Sequence, residues 1–153
     1  MNTTSISIKQ VDIKHADIVA GFVYDLIDEL AAGKGPSLGK ISNDTEAVLK
    51  NDHVFGFISF EGTSPTGLIM LNECAAIYAG GVFGEISELY VAPKLRSRGI
   101  AGALIQEAID FARSRKWNRL EVGAPNQPEW KRTFDFYLRA GFDEVGPRLR
   151  KSL

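Results

Sequence analysis

The hydrophobic positions change period several times along the chain, and each change predicts an element. Ile6, Ile8 and Val11 alternate with Ser7 and Lys9, the period of a half-buried strand. Over Ala16–Ala31 the apolar residues recur at helical spacing. Ile18, Val19, Phe22, Val23, Leu26, Ile27 and Leu30 fall on one side, and Asp17, Asp25, Asp28 and Glu29 on the other. The run A-A-G-K-G-P-S-L-G-K predicts a mobile loop. Asn43 and Glu46 have the spacing of a capping box, which predicts a short helix to Lys50. Val54–Phe60 reads as a strand, Ser64-Pro65-Thr66-Gly67 as a turn and Leu68–Tyr78 as a second strand. Ala79-Gly80-Gly81 leads into a third, Phe83–Val91, and the short connections make an antiparallel meander.

A helix follows over Gly99–Lys116, with Leu104, Ile105, Ala108, Ile109 and Ala112 on its apolar side. Arg119–Ala124 is a strand beyond this crossover and is therefore parallel to Phe83–Val91. Trp130–Ala140 predicts a last helix, ended by Gly141. Phe142–Val145 and Arg148–Leu153 are expected as closing strands around Gly146-Pro147. The order β-α-α-β-β-β-α-β-α-β is an α/β fold with a mixed sheet.

With 153 residues, 44% hydrophobic and 24% charged, the chain is expected to form one domain over 1–153 with a substantial core. No apolar run approaches the roughly 18 residues of a membrane span. M-N-T-T-S-I-S-I-K-Q lacks a signal peptide's apolar core, and the single Cys74 excludes an internal disulfide. These features predict a cytoplasmic protein without a membrane partner. The net charge of −1 conceals a division: residues 1–92 carry 5 Lys/Arg and 12 Asp/Glu, residues 93–153 carry 13 and 7. One half thus suits a cation and the other an anion, the alternative being solvated faces that merely differ. A pI near 6.1 and the lack of interleaved aromatics around R-L-R-K (Arg148–Lys151) argue against nucleic acid. His15 and His53 are isolated in sequence, so no metal site is expected.

The chemistry concentrates at E-I-S-E-L-Y-V-A-P-K-L-R-S-R-G-I-A-G, residues 85–102. Here a strand ends at Pro93 and a helix begins near Gly99, so unpaired N–H groups and a positive dipole end face the loop. Arg96 and Arg98 add charge, Gly99 admits a ligand to the backbone, and Ala101 keeps the next position small. This is a phosphate cradle. It lacks the GK[ST] ending of a nucleotide P-loop and the three glycines of a dinucleotide fingerprint.

Arg96, Gly99 and Ala101 match [R/Q]-x-x-G-x-[G/A], and the stretch resembles the acetyl-CoA loop of the GNAT superfamily of N-acetyltransferases. F-Y-L-R-A-G-F, Phe136–Phe142, is similar to that family's second signature. The resemblance implies a mixed, mostly antiparallel central sheet flanked by helices. A parallel strand pair then splays apart to hold the cofactor. It implies that the backbone of Leu89 and Val91 pairs with the pantetheine arm. The N–H groups of Arg98, Gly99, Ile100, Ala101 and Gly102, beside Arg96 and Ser97, would hold the pyrophosphate. Tyr90 belongs to the same strand but alternates to the opposite face, where a core role is the alternative.

Transfer to an amine needs a neutral nitrogen, whereas a free alkylamine has a pKa near about 10.4. Glu85 lies six residues before Val91, expected on the face of Ser87, Leu89 and Val91, where the family often carries its general base. A structural carboxylate paired to a surface cation is the alternative. Glu88 falls on the other face, which predicts a structural contact. Tyr137 matches the tyrosine that the family uses as general acid toward the departing thiolate, with a core aromatic as the alternative. Cys74 is expected to pack as a small apolar residue, so transfer is direct within a ternary complex. The family's Asn and Ala, seven and four residues before that tyrosine, are here Trp130 and Thr133. Asn126 replaces the pantetheine contact only if its loop bends back, and Trp130 either walls the tunnel or stacks with Trp117. The resemblance thus implies acetyl transfer from acetyl-CoA to a small cationic amine. A protein or peptide amine acceptor and a catalytically silent acyl-CoA-binding module are the alternatives. Family members commonly pair as homodimers, and the oligomeric state stays open.

Overall fold

The structure, a computed structural model, describes residues 5–125 and 129–153. Five strands form one sheet in chain order: β1 (Ile6–Gln10), β2 (Val54–Glu61), β3 (Ser64–Ala76), β4 (Gly81–Val91) and β5 (Leu120–Val122). All neighbours are antiparallel except β4 and β5, which α3 joins as a crossover; β1 and β2, with α1 and α2 between them, run antiparallel. The helices are α1 (Ala16–Leu30), α2 (Leu38–Leu49), α3 (Ile100–Ser114) and α4 (Lys131–Arg139).

Alternation along β2, β3 and β4 gives the sheet two apolar faces. Phe57, Ile69, Leu71, Ile86 and Val91 pack under Ile100, Leu104, Ile105 and Ala108 of α3. On the other face Ile58, Phe60, Leu68 and Met70 meet Val19, Phe22 and Val23 of α1. The sheet is sandwiched, as the continuous apolar run Leu68–Leu71 requires.

Several boundaries depart from expectation. The second helix opens at Leu38, capped by the Ser37 hydroxyl, which accepts from Lys40 N at 3.2 Å. This places Asn43 and Glu46 inside the helix, and the loop before it is shorter than the glycine content suggested. Burial of Ile41 and Thr45, one turn apart, sets that choice. The β2–β3 turn is the pair Gly62-Thr63, with Gly62 at φ +62°. Ser64 and Pro65 therefore lie in β3, where a register shift opposite Phe60 accommodates the proline. No closing strand forms over 142–153 among the described residues. Val145, Leu149 and Leu153 stay exposed there, so that stretch buries too little apolar surface to order a ladder.

Four ion pairs join an acid of the first 92 residues to an arginine beyond. They are Glu29–Arg96 (2.8 Å), Glu61–Arg98 (3.5 Å), Glu73–Arg115 (2.6 Å) and Glu85–Arg148 (2.7 Å). The charge division between the halves is thus partly consumed inside the molecule.

Candidate active site

β4 and β5 pair at only three positions, Gly84↔Leu120, Glu85↔Glu121 and Ile86↔Val122. β4 then continues to Val91 against β3 alone, so its other edge has no strand partner beside Leu89 and Val91. Past Pro93 the chain makes one tight helical turn, and Ser97 (φ +68°) and Gly99 (φ +83°) redirect it into α3. A Cβ placed on Gly99 or Gly102 would meet nothing within 4 Å. The space around these two positions at the start of α3 is therefore open. Ile100 is buried in the core and Ala101 packs against it, which fixes the helix start.

A β-bulge in β4 re-aims the carboxylates. Leu71 pairs with Ile86 and Met70 with Glu88, leaving Ser87 as the extra residue. Glu85 then faces the same side as Glu88 and Tyr90, opposite Asn72, Met70 and Leu68 respectively. This corrects the simple alternation that grouped Glu85 with Leu89 and Val91. Burial pushes the Glu88 carboxyl up, opposed by a hydrogen bond from the Ser87 hydroxyl. Glu85 accepts from Arg148 Nη2 at 2.7 Å, and that guanidinium lies over Gly123, where the strands part. Glu88 keeps the face expected of it, opposite Leu89 and Val91; only the face of Glu85 changes, because a bulge leaves no mark in the alternation of E-I-S-E-L-Y-V.

The loop arginines are already engaged. Arg96 donates two hydrogen bonds to Glu29 of α1 (2.9 and 2.8 Å) and one to the Val91 carbonyl (3.0 Å). It also covers the ring of Tyr90, 5.3 Å from its centroid. The Arg96 hydrogen bond holds the Glu29 carboxyl below its ordinary range. Tyr90 is buried beside Phe22, with ring centroids 5.9 Å apart. Burial and the Asp25 carboxylate push its hydroxyl up. Arg98 pairs with Glu61 at the end of β2.

Tyr137 lies in the apolar cluster that contains Val91 and Ile100, its ring 5.6 Å from both Phe136 and Phe142. Burial pushes its hydroxyl up to about 12. Trp117 sits edge-on to Phe111, centroids 5.5 Å apart, and donates to Glu73, while Trp130 stands at the start of α4. Cys74 is half-buried on β3, and burial raises its thiol. Asn126 lies outside the described residues. A groove of about 280 Å³ between α3 and α4, lined by Gly102, Ile105, Gln106, Phe136 and Arg139, continues from the loop. A second, by Trp117 and Phe142, lies at the far end of α3.

A family model described as Acetyltransferase (GNAT) family matches residues 23–142. The chain belongs to this family. An uncharacterized N-acetyltransferase of Methanocaldococcus jannaschii is 45% identical over 62 residues, 39% of this chain and 26% of the relative. A thialysine N-epsilon-acetyltransferase of Caenorhabditis elegans is 26% identical over 109 residues, 70% of this chain and 65% of the relative. The chain thus spans less than two thirds of the length of either relative. Among solved structures, an aminoglycoside N-acetyltransferase in complex with CoA superposes with a TM-score of 0.78 at 18% identity, over 99% of this chain and 97% of that one. The GNAT fold therefore extends to the N-terminal segment, outside the stretch that the family model matches.

Proposed function

We propose that the protein is an acetyl-CoA-dependent N-acetyltransferase that transfers an acetyl group directly to a primary amine of a small cationic acceptor. The observation that carries this reading is the parallel strand pair that parts after Ile86 and Val122, followed by a helix start with open space at Gly99 and Gly102. An extended pantetheine arm fits the unpaired edge of Leu89 and Val91, and a diphosphate fits the helix start. Acetyl-CoA, when bound, supplies the thioester carbonyl that the amine attacks.

Glu88 takes the ammonium proton, its raised carboxyl being better matched to that task than an ordinary one. Glu85, on the same face and paired with Arg148, is the second candidate base. As the N–C bond forms and the C–S bond breaks, the Tyr137 hydroxyl donates a hydrogen bond to the departing sulfur. Asp25 and Asp28, exposed on α1, extend the negative field toward a cationic acceptor. The relatives named for thialysine and aminoglycosides, both amines, support this acceptor class.

An acceptor screen that follows free CoA thiol tests the reading. Amines should outperform neutral or anionic acceptors, with an advantage that shrinks as salt rises. Glu88→Gln should lower the rate most at neutral pH and recover in part at high pH, where more free amine exists. A best acceptor that is acidic, or a Glu88→Gln profile parallel to wild type, overturns it.

A further inference from the structure

We propose that Arg132, on the first turn of α4, supplies the cation that meets a phosphate of CoA at the α3 start. The proposal rests on the acetyl-CoA reading above. Sequence pattern assigns this charge to Arg96 and Arg98, yet both are matched by carboxylates, Glu29 and Glu61. Arg96 holds α1 to the end of β4, with three of its N–H donors on Glu29 and the Val91 carbonyl and its charge matched by the Glu29 carboxylate. Arg132 differs. Its Nη2 donates to the Ser97 hydroxyl at 2.8 Å, and among the described residues no carboxylate pairs with it. The neighbouring Lys131 is matched instead, by Asp135.

Ser97 lies in the loop itself, two residues before Gly99, whose Cβ position is open. The contact therefore brings an exposed guanidinium from α4 to the loop that leads into α3. Five N–H donors in one plane can keep the serine and still engage a phosphate oxygen. A charged group resting on a neutral hydroxyl loses little when it turns to an anion, whereas the charge of Arg96 is already matched by a bidentate carboxylate.

Calorimetry with CoA on the full chain tests this without turnover. Arg132→Ala should weaken CoA binding at least about tenfold, the scale of a charge-assisted hydrogen bond. Arg132→Lys, which keeps charge and loses the fork, should fall between. The melting temperature of Arg132→Ala should match wild type, as the side chain is exposed. Dephospho-CoA identifies the phosphate: a loss that persists assigns the diphosphate, and one that vanishes assigns the 3′-phosphate, both in support. An Arg132→Ala affinity within threefold of wild type overturns the proposal. So does a melting temperature of Arg132→Ala well below wild type beside the loss of affinity, which would mean that Arg132 only holds the loop. Failure of wild type to bind CoA would reject the acetyl-CoA reading instead.

Discussion

Replacing Tyr137 by Phe removes one hydroxyl and leaves the ring against Phe136 and Phe142. The size of the effect follows from the burial of that hydroxyl. Burial pushes it up to about 12, while a thiol titrates near about 8.5. Complete proton transfer to the departing thiolate is then uphill by roughly 3.5 pK units, or about 5 kcal/mol. A hydrogen bond to charged sulfur asks for no such transfer and contributes about 1.5–3 kcal/mol. Tyr137→Phe should therefore lower kcat by about 10–150-fold, with acetyl-CoA affinity kept. Turnover measured by CoA thiol release, beside calorimetry of acetyl-CoA, reads both quantities. A kcat within twofold of wild type would leave the residue an aromatic of the core. A loss beyond about 10³ would mean that the proton moves fully, and the argument from burial would fail.

Gly99→Glu places a side chain at φ +83° and a negative charge where the phosphates are expected. Acetyl-CoA affinity should fall at least about tenfold, and an unchanged titration of folded protein would remove the cradle. Gly84→Ala drives a Cβ to 2.3 Å from the Trp117 ring, so denaturant titration should show a loss of about 1–3 kcal/mol; an unchanged midpoint would mean that the indole yields freely. Glu73 is held down at about 2, chiefly by the Arg115 hydrogen bond and then by that of Trp117. Its stabilisation is full above the ordinary carboxylate pKa and is lost as pH falls toward 2. Glu73→Gln should therefore melt about 2–4 °C below wild type at pH 7, with the gap closing in acid. A gap that stays constant with pH would reject the charge assignment.

Much of the fold is legible in the order of residues. The 3.6 period of Ala16–Leu30 and Ile100–Ser114 needs no tertiary information, because each helix must turn one stripe toward a sheet. The parallel placement of Leu120–Val122 follows from the crossover before it. The glycine and small residues at Gly99–Gly102 likewise mark a helix start, where backbone amides lack intrahelical partners in any fold. What escapes is whatever depends on partners distant in sequence. The bulge at Ser87 arises from the register between β3 and β4, and it alone turns Glu85 to the face of Glu88 and Tyr90. Burial, a property of the packed molecule, then separates those two carboxylates chemically. The arginines of the loop look alike in sequence to Arg132, yet Glu29 and Glu61 reach two of them through folding and leave the third beside Ser97. Local pattern names the groups that can carry charge; long-range contacts decide which of them stay available for a ligand.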